Sequence, residues 1–143
     1  MKKIISIILF IIISAFSLSG CGLGKMKIED YEWTLRYAFH VQGDQVIVDA
    51  VQEYDAAHPQ AKVVDITLTA RDGKITITDG TNGRTYEGAY TVELKHPDGT
   101  DYDIVIDGKS GHATVGMTTF AGGSEAPTLP ISVEHYSLYF YAE

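Results

Sequence analysis

The sequence predicts an all-β fold: a single antiparallel barrel of eight strands, or nine if the chain turns at Glu134-His135. Three observations carry this. Apolar residues recur at period two through most of the chain beyond residue 32. Short Gly- and Asp-rich turns separate these runs at near-regular intervals. No segment in that region has a convincing helical period, the best candidate being the short run Val51 to Ala57. Closure into a barrel is favoured over an open sheet because it leaves no strand edge exposed.

In chain order, Trp33, Leu35, Tyr37, Phe39 and Val41 alternate with Thr34, Arg36, Ala38 and His40 as a first half-buried strand. Val46-Ile47-Val48 is a short apolar run after Gly43-Asp44. Val64, Ile66, Leu68 and Ala70 form the next strand, and Arg71-Asp72-Gly73-Lys74 turns it into Ile75 and Ile77. A second turn, Asp79-Gly80-Thr81-Asn82-Gly83, leads to Tyr86, Gly88, Tyr90, Val92 and Leu94 on one face. His96-Pro97-Asp98-Gly99 turns the chain again. Tyr102, Ile104 and Ile106 then face one way, with Asp101, Asp103 and Asp107 on the other. Asp107 to Gly111 leads into Ala113, Val115 and Met117, and Phe120 to Thr128 reads as a longer loop. Leu129, Ile131 and Val133 share a face. The phase changes at Glu134-His135, by a bulge or a two-residue turn, and Tyr136, Leu138, Phe140 and Ala142 take over.

The first twenty residues are of another kind. Lys2 and Lys3 precede the uncharged run Ile4 to Leu18, and small residues follow, which describes a secretory signal. The uncharged run is 15 residues long, whereas a spanning helix needs roughly 20. Leu18-Ser19-Gly20-Cys21 resembles the lipobox of bacterial lipoproteins at all four positions. The resemblance implies cleavage between Gly20 and Cys21 and lipidation of Cys21. Two acyl chains on that thioether suffice for stable anchoring. The expected organisation is therefore a signal peptide at 1–20, a lipidated tether at 21–31 and a barrel domain at 32–143. The address is the outer face of a membrane in the cell envelope.

Three stretches resemble a family of small bacterial lipoproteins of uncharacterised function. They are Thr81 to Tyr90 (TNGRTYEGAY), Gly116-Met117-Thr118-Thr119-Phe120, and Pro127-Thr128-Leu129 through Tyr136-Ser137-Leu138-Tyr139-Phe140. Trp33 near the start of the first strand, followed by a meander, resembles the calycin architecture of lipocalin-like barrels. Asp30-Tyr31-Glu32 stand where true lipocalins carry Gly-x before the tryptophan. These resemblances imply a fold and an address, and no activity.

Removing the signal shortens the chain from 143 to 123 residues and takes the formal charge from −8 to −10. Such a surface repels nucleic acid and favours basic proteins or cations. With the only cysteine lipidated, the domain has no disulfide and must be held by its core.

Motifs for chemistry are sparse. Gly108-Lys109-Ser110 lacks the upstream glycine of a phosphate loop, because Asp103 occupies that position. Ser110, Ser124, Ser132 and Ser137 lie in no Gly-x-Ser-x-Gly elbow. His40, His58, His96, His112 and His135 show no ligand spacing of a zinc helix, although strand pairing can bring His112 to a carboxylate. Asp98, Asp101, Asp103 and Asp107 form an acidic cluster without the calcium-loop pattern. The expectation is a non-enzyme with no cofactor and no metal. The aromatics Trp33, Tyr37, Phe39, Tyr86, Tyr90, Tyr102, Tyr136 and Phe140 all fall on the apolar phase. Of these, Trp33, Tyr37, Tyr90 and Tyr102 are the candidates for lining a ligand cavity or, in so small a barrel, for filling it.

The expected function is an anchored, non-catalytic binding module. Its partners are the membrane, through lipid, and a protein or a small apolar ligand. The alternatives are carriage of an apolar ligand in the barrel mouth and inhibition of a basic secreted enzyme such as a lysozyme.

Overall fold

Two-residue turns set most of the strand boundaries. Asp72-Gly73 and Asp107-Gly108 each take φ of 51° and 78°, the left-handed pair whose twist matches that of the flanking strands. Glu134 takes φ of 53°, and Val133 pairs with Tyr136 across it, so Glu134-His135 is a turn. The computed structural model describes residues 26–142. The expected cleavage and lipidation at Gly20 and Cys21 lie outside the described residues.

The described chain forms ten strands: β1 (Trp33–Gln42), β2 (Gln45–Val51), β3 (Lys62–Val63), β4 (Ile66–Arg71), β5 (Lys74–Asp79), β6 (Arg84–His96), β7 (Gly99–Ile106), β8 (Lys109–Thr119), β9 (Glu125–Val133) and β10 (Tyr136–Tyr141). Eight of them close an antiparallel barrel in the order β1-β4-β5-β6-β7-β8-β9-β10, with β10 paired back to β1. β2 and β3 are additional. The lower part of β1 (Trp33, Thr34) pairs with β4, while its upper part (Tyr37 to Gln42) pairs with β2. One long strand thus serves the barrel and a projecting hairpin.

As the sequence expectation has it, Val51 to Ala57 forms no helix: β2 ends at Val51, and turns and bends follow up to the two-residue β3. Two details differ from that expectation. The loop at Phe120 is short, because the Phe120 N–H donates to Ser124 O (2.8 Å) and β9 starts at Glu125. Asp107 belongs to the β7–β8 turn and leaves Asp101 and Asp103 as the acidic pair on the strand.

The barrel is filled. Trp33, Leu35, Leu68, Ile75, Tyr102, Ile104, Ala113, Val115, Leu129, Ile131 and Phe140 are each at most 2% exposed and form one cluster. Burying a large apolar side chain contributes roughly 1.5–3 kcal/mol, so in a disulfide-free domain this cluster is the main stabiliser.

Residues 26–31, expected in the tether, lie against one end of the barrel. A short 3-10 turn, Ile28–Asp30, puts the fully buried Ile28 into the core. Its N–H donates to the Tyr102 hydroxyl (3.1 Å), and its carbonyl accepts from Trp33 Nε1 (2.9 Å). Thr100 Oγ1 donates to the Met26 carbonyl (3.0 Å). Two buried polar tips that an apolar core would orphan are thereby satisfied.

Candidate functional site

The side chains best placed to meet another molecule owe their position to a bulge. Leu35 pairs with Phe140 and Tyr37 with Tyr139, so Arg36 is an extra residue in β1. An extra residue shifts the strand by one position relative to its partner, which swaps its two faces. Trp33 and Leu35 therefore point into the barrel, but beyond the bulge Ala38 packs on the core while Tyr37 and Phe39 point outward. The sequence expectation that Tyr37 and Phe39 share the inner face with Trp33 is corrected accordingly.

Outside, Arg36, Tyr37, Phe39, Val46, Val48, Thr118, Phe120 and Tyr139 line a cleft of about 370 Å³. Its residues come from β1, β2, β8, β10 and the β8–β9 connection. The Arg36 guanidinium sits 4.9 Å from the Phe120 ring centroid, 5.6 Å from that of Tyr141 and 5.7 Å from that of Tyr37. These are cation–π distances, and they hold the three rings around one cation. A second, more polar cleft of about 510 Å³ shares Arg36 and Tyr37 and continues along Gln52 to Ala56. There the Tyr141 hydroxyl donates to Gln52 Oε1 at 2.6 Å.

The other three candidate aromatics lie inside. Trp33 meets Tyr31 edge-on (5.1 Å), and Tyr90 meets Tyr102 edge-on (5.6 Å, 81°). Burial pushes the Tyr90 phenol up to about 12, and the charge of Glu29 acts in the same direction. Burial likewise raises the Tyr102 phenol. Both hydroxyls are neutral at physiological pH; that of Tyr102 accepts the Ile28 N–H, and that of Tyr90 has no hydrogen-bond partner among the described residues. Tyr136 keeps the inner phase but sits at the rim, stacked on His135 and edge-on to His40.

Four of the five histidines lie beside a carboxylate. His40 Nδ1 lies 2.7 Å from Asp49 Oδ2, His58 Nδ1 lies 2.8 Å from Asp55 Oδ2, and His96 Nε2 lies 3.2 Å from Asp101 Oδ2. His112 Nδ1 lies 3.1 Å from Asp103 Oδ1 and 3.6 Å from Glu93 Oε2. Asp103 and His112 are direct register partners on β7 and β8. Glu93 joins them because it is the bulged residue of β6, between the pairs Val92–Tyr102 and Leu94–Asp101. That bulge also accounts for Leu94, placed by its alternation in the core yet well exposed. Neither Arg36 nor Glu93 was singled out from sequence. Each falls on the polar phase of an alternation that continues without interruption, so no sequence signal reveals the bulge until the partner strand is known.

No protein-family model matches the chain, and no curated protein or solved structure matches it.

Proposed function

We propose that this chain is an exported lipoprotein, anchored in the cell envelope through Cys21, that binds a partner protein through the outer aromatic cleft and carries out no catalysis. One observation carries the reading. The barrel interior is filled by its own side chains, whereas Tyr37, Phe39, Phe120 and Tyr139 are turned outward into a cleft. Grouping apolar and aromatic side chains on a surface costs solubility and marks an interaction site. The same packing favours the outer cleft over an apolar ligand in the barrel mouth. The likeness of the N-terminus to a lipobox supplies the anchor. Cys21 and Met26 are five residues apart, a reach of at most about 17 Å. Anchoring would therefore hold the barrel end carrying Ile28 and Trp33 close to the lipid surface.

Site-specific photocrosslinking in the envelope tests this. A photoreactive phenylalanine analogue at Phe39 should give a discrete protein adduct that Tyr139→Ala weakens. The same analogue at Thr78, exposed on β5, should give none. Identical products from both positions would exclude the cleft as the docking site. The mass of the same purified chain should start at Cys21 carrying diacylglycerol; an intact leader would exclude the anchor.

A further inference from the structure

We propose that Glu93, Asp103 and His112, none of which lines the aromatic cleft, bind one divalent transition-metal ion of the zinc class.

The side chains converge from three adjacent strands. Asp103 and His112 face each other across the β7–β8 pair, and the β6 bulge brings Glu93 alongside them. One ligand atom from each lies within 4.8 Å of the others. Ligand atoms around a tetrahedral zinc, with bonds of about 2.0–2.1 Å, stand about 3.3 Å apart. The two imidazole–carboxylate separations, 3.1 and 3.6 Å, bracket that value. The side chains are exposed, so small rotations reach coordination without disturbing the core.

The charge balance points the same way. Among the described residues, neither Glu93 nor Asp103 pairs with a lysine or arginine, and their shared partner is His112. Two carboxylates held beside one imidazole concentrate acidic groups that a divalent ion can neutralise. The donor set, one nitrogen and two oxygens without sulfur, suits zinc, manganese or nickel. It suits calcium poorly, since calcium takes six to eight oxygens. Three protein ligands leave a position open. Asp103 and His112 also line a cleft of about 550 Å³ over the same sheet, together with Thr91, Ser110, Ser132 and Glu134. An open coordination position would take a water or a neutral oxygen ligand.

Titration of the intact detergent-purified chain with zinc alone, read by nuclear magnetic resonance and calorimetry, tests the site. The expected result is one zinc per chain, with shifts confined to the signals of Glu93, Asp103, His112 and their neighbours. His112→Ala, Asp103→Asn and Glu93→Gln should each weaken binding by at least about tenfold. All three positions are exposed, and unchanged signals elsewhere in each variant would verify its fold. Calcium should not displace the zinc. Absence of binding at millimolar zinc would overturn the proposal. So would binding that survives all three substitutions, or shifts centred on the His40–Asp49 or His58–Asp55 pairs.

Discussion

The Asp79 carboxylate accepts the Asn82 backbone N–H (3.0 Å) and the Asn82 side-chain amide (2.7 Å), closing the β5–β6 turn from within a nearly buried position. These hydrogen bonds favour its charged form and hold its pKa below the ordinary carboxylate value. A depressed folded-state pKa contributes stability that is fully present above the unfolded value and is lost as pH falls through the folded one. Asp79→Asn should therefore lower the urea midpoint at neutral pH, with the gap to the parent chain narrowing below about pH 4. A gap constant down to pH 2 would exclude the charged carboxylate as the source. Asp55, lowered by its hydrogen bond to His58 and by the Ala57 N–H, has the same sign and remains in both proteins, so the difference isolates Asp79. Asp-Gly and Asn-Gly turns were legible in the sequence at this scale, because positive φ is a local demand that few residue types meet.

At the scale of elements, strands in so small a closed barrel must approach each other closely, and glycine marks where. A Cβ on Gly111 of β8 would collide with the Ser132 carbonyl of β9 and meet Val133 Cγ2 at 2.7 Å. Its neighbour on the same strand, Gly116, has only the Asp98 carbonyl nearby, at 3.5 Å. Gly111→Ala should destabilise by about 1–3 kcal/mol, as overpacking does, while Gly116→Ala should stay within roughly 0.5 kcal/mol. Equal thermal midpoints for the two variants would refute the close approach. Bulges are the other decisive elements. Those at Arg36 and Glu93 each interrupt an alternation that the sequence presents as unbroken, turning Tyr37, Phe39 and Leu94 outward. Period two identifies a strand but carries its phase across a bulge incorrectly, since the inserted residue shows only against the partner strand.

Over the whole molecule, closure depends on β10, which pairs with both β9 and β1 and contributes the fully buried Phe140. Truncation after Val133 would expose two strand edges and remove that ring. The expected outcome is loss of the cooperative thermal transition, accompanied by association visible in size-exclusion chromatography. A truncated chain that melts cooperatively as a monomer would refute the dependence. The two proposed sites share no residue, although β8 contributes Thr118 to the aromatic cleft and His112 to the carboxylate–histidine cluster. Each proposal can thus fail without the other. By itself the sequence determined the all-β class, most strands and turns, and the aromatics Trp33, Tyr90 and Tyr102 as inward-phase residues, because alternation and turn chemistry are local. The tertiary structure alone decided that Ile28 plugs one end, that Tyr37 leaves the interior, and that His112 stands beside Asp103 and Glu93. Each of these depends on register between strands distant in sequence, and register is set by the closed sheet as a whole.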